Sequence, residues 1–176
     1  VPYPARTILF VQQLPSGTAT PKSLYRITRK DQGAGLFGAG SVGDDMVRFY
    51  KGANKTGDLY AVGLTDAATG IAATGTITFA GAATLAGPLA LYIGSVRIPL
   101  AISNGQTAAQ AATAAAAAIN AVPGLPLTAA AAAAVVTLTA RHKGEVGNGY
   151  HVAVARQIDD TQPPGLTTTI GAMAGG

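Results

Sequence analysis

Three glycines, Gly38, Gly40 and Gly43 in LFGAGSVGDDM, carry the spacing G-x-G-x-x-G. With that spacing a dinucleotide-binding loop brings its main chain against a pyrophosphate. The chemistry also needs a buried strand directly upstream to aim the glycines, and an open helix N-terminus downstream to receive the anion. Upstream here is TRKDQGAGLF, which is polar and contains glycine itself. Downstream, Asp44 and Asp45 put carboxylates in the first helical turn, where they repel phosphate. The glycines are therefore expected to lead flexibly into a capped helix, with no cofactor bound.

The other chemical candidates are sparse. His142, Glu145 and His151 fall in RHKGEVGNGYH. A zinc site requires at least three converging protein ligands, and a Gly-rich turn separates these two histidines. His142 is expected in an exposed loop and His151 on a strand, with no metal between them. Asp159 and Asp160 precede Pro163-Pro164 and read as a solvated loop, not as a general acid–base pair. No G-x-S-x-G elbow occurs. The absence of cysteine excludes disulfides and thiolate metal sites. No catalytic, cofactor-binding or metal-binding residue is assigned, and the chain is not expected to be an enzyme.

Composition points away from pockets and toward surfaces. The chain has 176 residues, 48% of them hydrophobic but much of that alanine, with 6% aromatic and only 11% charged. An average soluble domain carries about 25% charged residues. A surface so poor in charge suits a protein covered by its neighbours. The net charge of +4 is dispersed, with one modest cluster at Arg26, Arg29 and Lys30 beside Tyr25. That falls short of the dense basic stripe of a nucleic-acid binder. The alanine runs are too weakly hydrophobic to span a bilayer. Val1-Pro2-Tyr3-Pro4 lacks both a starting Met and the regions of a signal peptide, so a longer parent chain is expected.

The elements that would hold these residues can be read in order. ARTILFVQQL (Ala5 to Leu14) is an apolar run closed by Pro15-Ser16-Gly17, as a buried strand ending in a turn is. The conformation of SLYRITRKDQ is left open. SVGDDMVRFYKGANK reads as a helix capped by Ser41 with Asp44 three residues on, presenting Val42, Met46, Phe49 and Tyr50 on one face. DLYAVGL (Asp58 to Leu64) is a second buried strand, completing a strand–helix–strand unit over residues 5 to 64.

From Thr65 the composition changes to small residues. TGTITFAG alternates as a half-buried strand does. PLALYIGSVRIPLAIS reads as a hairpin about Gly94-Ser95, anchored by Leu91, Ile93, Val96 and Ile98, with Pro99 marking an edge or bulge. NGQTAAQAATAAAAAINAVPG is the clearest helix, capped by Asn104 or Thr107 and stopped by Pro123-Gly124. Its alanines imply a close approach to a sheet. LTAAAAAAVVTLTAR (Leu127 to Arg141) is ambiguous and is assigned mainly to strands, followed by strands in YHVAVARQ and GLTTTIGAM. The expected class is α+β: an α/β segment at residues 1–64, then a β-rich domain with one Ala-rich helix at residues 65–176.

Long phrases carry a resemblance. LFGAGS, DLYAVGLTDAATGIAATGTITFAG, GPLALYIGSVRIPLAI, TAAQAATAAAAAINA, LPLTAAAAAAVVTLTARHKGEVGN and GLTTTIGAMAGG occur in an order and spacing similar to the tail sheath protein of Mu-like contractile-tailed bacteriophages and prophages. The similarity runs from about Ala5 to Gly176, and VVTLTARHKGEVGN is its most specific phrase.

The resemblance implies a virion structural protein of the tail sheath, assembled in the host cytoplasm. Its copies would form hexameric rings stacked into a helical sheath, which contracts to drive the tail tube through the host envelope. Residues 1–64 would begin the core domain and residues 65–176 would be the protruding, inserted domain. Partners would be other copies of the chain, with the tube protein and baseplate reached through regions largely outside these residues, and neither nucleic acid nor membrane. Terminal arms would exchange strands between subunits, so residues 1–176 are expected to be monomeric at micromolar concentration. The alternative is a carbohydrate- or host-surface-binding module of a phage tail, which would call for an exposed aromatic cluster from only six Tyr and four Phe.

Overall fold

The computed structural model describes residues 6–176; the start of the first expected strand, Ala5, lies outside them. Among the described residues are three α-helices and ten strands, an α+β fold. The chain divides into two compact units, Val1–Thr69 and Gly70–Gly176.

In the first unit, β1 (Thr7–Gln13) runs parallel to β3 (Leu59–Thr65), and β2 (Leu24–Ile27) pairs antiparallel on the other side of β3. The sheet order is β1-β3-β2. Two helices stand between β2 and β3 in sequence, α1 (Gln32–Phe37) and α2 (Val42–Ala53). The stretch left open by sequence thus becomes β2 and α1. Gly33 and Gly35 disfavour a helix, yet Phe37 is fully buried and the Gln32 side chain accepts from the Thr28 and Arg29 amides at 2.6 and 2.9 Å. Tertiary burial outweighs propensity there.

Helix α2 begins as its sequence indicates. Ser41 Oγ accepts from the Asp44 amide at 2.9 Å, and Lys51 Nζ donates to the Gly57 carbonyl at 2.6 Å near the far end. Its inward face differs from the expected one. Gly43, Asp44, Val47 and Lys51 are buried, Met46 and Tyr50 pack beside them, and Phe49 points outward under the Arg48 guanidinium. Phe49 lies about 100° around the helix from Tyr50, so the orientation of α2 that packs Tyr50 against Thr7 of β1 leaves Phe49 outside.

The second unit holds a four-stranded antiparallel sheet, β10-β4-β8-β7, and a three-stranded sheet, β6-β5-β9. Its strands are β4 (Ala72–Gly81), β5 (Gly87–Ile93), β6 (Val96–Ile102), β7 (Leu127–Ala132), β8 (Val135–Lys143), β9 (Val152–Val154) and β10 (Leu166–Ala174). Hairpin β5–β6 turns at Gly94-Ser95 as read, and Pro99 sits on the edge strand β6, where no ladder donor is required. Val96, expected as an anchor, is exposed beside the turn. YHVAVARQ contributes only the short β9.

Helix α3 (Ala108–Asn120) settles the choice of cap. Thr107 accepts from the Gln110 amide while the Gln110 side chain accepts from the Thr107 amide, a full capping box. Ala111, Ala112, Ala115, Ala116 and Ile119 are buried against β4, β6, β7 and β8. One core joins them to Ile77, Phe79, Leu89, Leu91, Val136 and Leu138. The alanines remove side-chain bulk so that the helix axis can lie close to the sheet.

Candidate functional site

The glycine stretch has a structural job that the coordinates define atom by atom. It follows helix α1, and no strand leads into it. Gly38 and Gly40 take φ values of 90° and 76°, a left-handed region that favours glycine. At Gly43 a Cβ would stand 2.8 Å from Phe37 Cβ and 2.9 Å from the Gln12 carbonyl oxygen. The Asp44 carboxylate accepts from the Gly40 amide at 3.3 Å, so the N-terminus of α2 already carries its own anion.

The other chemical candidates are placed differently from expectation. His142 is a fully buried inward residue of β8, because it continues the alternation Val136, Leu138, Ala140. His151 is exposed and lies one residue before β9. The two expectations are thus exchanged, since strand register rather than nearby glycine decides which side chain turns inward. Glu145 is exposed in a short 3-10 turn, Glu145–Gly149. Among the described residues no three His, Asp or Glu side chains are grouped to hold a metal ion. No helix of these residues is long and apolar enough to cross a membrane.

Asp160 overturns the solvated-loop expectation. Its side chain is only 3% exposed and accepts from Tyr92 Oη at 2.6 Å, from Arg97 Nη2 at 3.0 Å and from the Gln157 amide at 2.9 Å. These donors, Tyr92 first, hold its carboxyl below the usual carboxylate range. Burial and the bond to Asp160 push the Tyr92 phenol up. The cluster ties the loop after β9 to hairpin β5–β6. Asp159 remains exposed. In the basic cluster, Arg26 pairs with Asp58 and Arg29 with Asp31, both exposed pairs of little energetic weight. The Tyr25 hydroxyl accepts from the Thr20 amide at 2.8 Å, which lowers its pKa.

The strongest surface feature is one that sequence reading did not single out. Strand register puts Ile8 beside Tyr60 and Arg26, and Phe10 beside Val62 and Leu24, with Leu64 beside Gln12. The opposite face carries Val11, Ala61, Leu59 and Ile27, buried under Phe37 and Val47. On the uncovered face Ile8 is 51% exposed, Phe10 67%, Leu24 56% and Leu64 39%. The apolar run in ARTILFVQQL is expected to be a buried strand, but β1 buries only Val11 and Gln13 and leaves Ile8 and Phe10 exposed, because alternate side chains of a strand point to opposite faces. The helices of this unit supply one layer. The four large apolar side chains thus share one exposed face of the sheet.

The chain is 33% identical over 171 residues to the Mu-like prophage FluMu tail sheath protein of Haemophilus influenzae. It is similar to a tail sheath protein. The similarity spans 97% of the chain and therefore takes in both units. The chain spans about a third of that relative's length, 35%. No family model matches the chain.

Proposed function

We propose that this chain is part of a structural subunit of a contractile bacteriophage tail sheath, a virion component assembled in the host cytoplasm. Residues 1–64 begin the core domain next to the tail tube, and residues 65–176 form the protruding domain. The observation that carries the reading is the 33% identity to a tail sheath protein along almost the whole chain. Complete subunits form hexameric rings, stack into a sheath around the tube, and contract to drive it through the host envelope. Other copies of the subunit, the tube protein and the baseplate are the partners.

The uncovered apolar face supports the same division. A sheet with a parallel pair is stable when both faces are covered, and Ile8, Phe10, Leu24 and Leu64 provide one face of an interface that further polypeptide would close. The small share of charged residues, 11%, leaves broad neutral surfaces for repeated contacts between copies. Electron microscopy of the complete protein tests the reading: tubular or ring polymers are expected. A complete, folded protein that stays monomeric at all concentrations overturns it.

A further inference from the structure

An edge strand presents a row of unpaired N–H and C=O groups to any other edge it meets, and proteins guard such rows with charges, prolines, bulges or cover. Strand β7, Leu127–Ala132, is an edge of the four-stranded sheet and contains only leucine, threonine and alanine. It has no charge and no proline of its own. Asn120, the last residue of α3, reaches this edge. Its Nδ2 donates to the Ala129 carbonyl at 2.7 Å and its Oδ1 accepts from the Ala129 amide at 2.9 Å. An added antiparallel strand would make the same two bonds through the N–H and C=O of one residue.

The far edge is treated in the same way. Strand β10, Leu166–Ala174, is also free of charge and proline. At the start of β10, Gln162 Nε2 donates to the Leu166 carbonyl at 2.8 Å. A side-chain carboxamide carries a donor and an acceptor side by side, which accounts for the residue type at these places.

We propose that Asn120 and Gln162 are edge plugs: their side-chain amides occupy outward main-chain groups of the sheet and keep it from pairing with a second copy of this chain. Because Ala129 spends both main-chain groups outward, Leu127 and Ala131 share its edge by the alternation of an antiparallel ladder. Asn120 therefore interrupts the row in its middle.

Sedimentation velocity of the 176-residue chain across a concentration series, with thermal melts alongside, tests the proposal. Asn120→Ala is expected to make self-association about tenfold tighter than in the unchanged chain. Asn120→Ala combined with Ala131→Pro is expected to return association to the starting level while the melting temperature stays lowered, because proline removes an outward N–H. Gln162→Ala tests the other edge even if Asn120→Ala does not fold; its added association is expected to persist with Ala131→Pro. A lowered melting temperature without added association, or association that Ala131→Pro does not reverse, makes Asn120 a staple between helix and strand and overturns the plug at β7. Unchanged association in Gln162→Ala overturns it at β10.

Discussion

The outward face of the first sheet and that of the four-stranded sheet are built from opposite materials. The first presents Ile8, Phe10, Leu24 and Leu64. The second, read from the same kind of register, presents Thr74, Thr76 and Thr78 from β4, Thr137 and Thr139 from β8, and Thr167 and Thr169 from β10. Threonine has the branched shape that suits a strand and a hydroxyl that stays hydrated. The second unit therefore spends its large apolar residues inward, on one core closed by α3 and the hairpin. The first spends them on both faces and covers only one. A sheet can thus be complete in strand pairing and still incomplete in layers.

If the second unit holds itself together, its core should carry the largest effects. Phe79→Ala removes a ring that is 1% exposed, and a cost of roughly 3–5 kcal/mol is expected. Hydrogen exchange followed on peptides of β4 and β8 checks it. Protection that survives unchanged would break the contrast, since the core would then not depend on its largest side chain.

A smaller effect separates the two sides of α3. Ala115 is fully buried and Ala117 is exposed. Leucine at 115 should cost about 1–3 kcal/mol by overpacking, and leucine at 117 close to nothing. Chemical denaturation of the two variants reads the difference directly. Equal tolerance at both positions would mean that the helix is not closely seated.

The open face should behave in the opposite way. Ile8→Thr with Phe10→Thr is expected to leave the 176-residue chain within about 0.5 kcal/mol of its starting stability, as exposed substitutions do. In the complete protein the same pair should cost several-fold more if the proposed interface closes over that face. Denaturation of both lengths sharpens the comparison. A large loss in the 176-residue chain alone would show that the face is already packed.

The smallest effect is a pH dependence in the second unit. The Asp160 carboxyl lies below its reference value of 3.8, so its stabilisation is present above that pH and is lost as pH falls through its folded value. The Tyr92 phenol lies above its reference value of 10.0, so its share is present below that pH and is lost as pH rises through its folded value. Stability from this cluster should be flat between those limits and fall on both sides. Asp160→Asn should flatten the acid limb in melts at stepped pH; an unaltered limb would assign the acid loss to other carboxylates.

Much of the fold was legible because its signals are local. Ser41 and Thr107 cap their helices through amides three residues away, and Gly94-Ser95 closes a hairpin between adjacent strands. Ala-rich Leu127–Arg141 divided into two strands because Thr137 and Thr139 alternate with apolar neighbours. Helix α1 was not legible, since its stability rests on burying Phe37 and not on its two glycines. Phe49 was misplaced for a related reason: several helical faces were apolar enough, and the packing partner chose among them. In the candidate site, the glycine job was half legible. A positive φ at Gly38 and Gly40 fits any turn, whereas the missing room at Gly43 depends on Phe37 and Gln12.

Sequence by itself determined most of the elements outside residues 23–37, the Ser41 cap and the Gly94-Ser95 turn, the scarcity of charge and the lack of thiol chemistry, because each depends on residue identity or on neighbours a few positions apart. Only tertiary structure decided that His142 is buried while His151 is exposed, that Asp160 is held by Tyr92 and Arg97 from a distant hairpin, and that Ile8 and Phe10 face outward. An apolar side chain specifies that it favours cover. Which face receives cover depends on which other layer of the chain, or of another chain, reaches it.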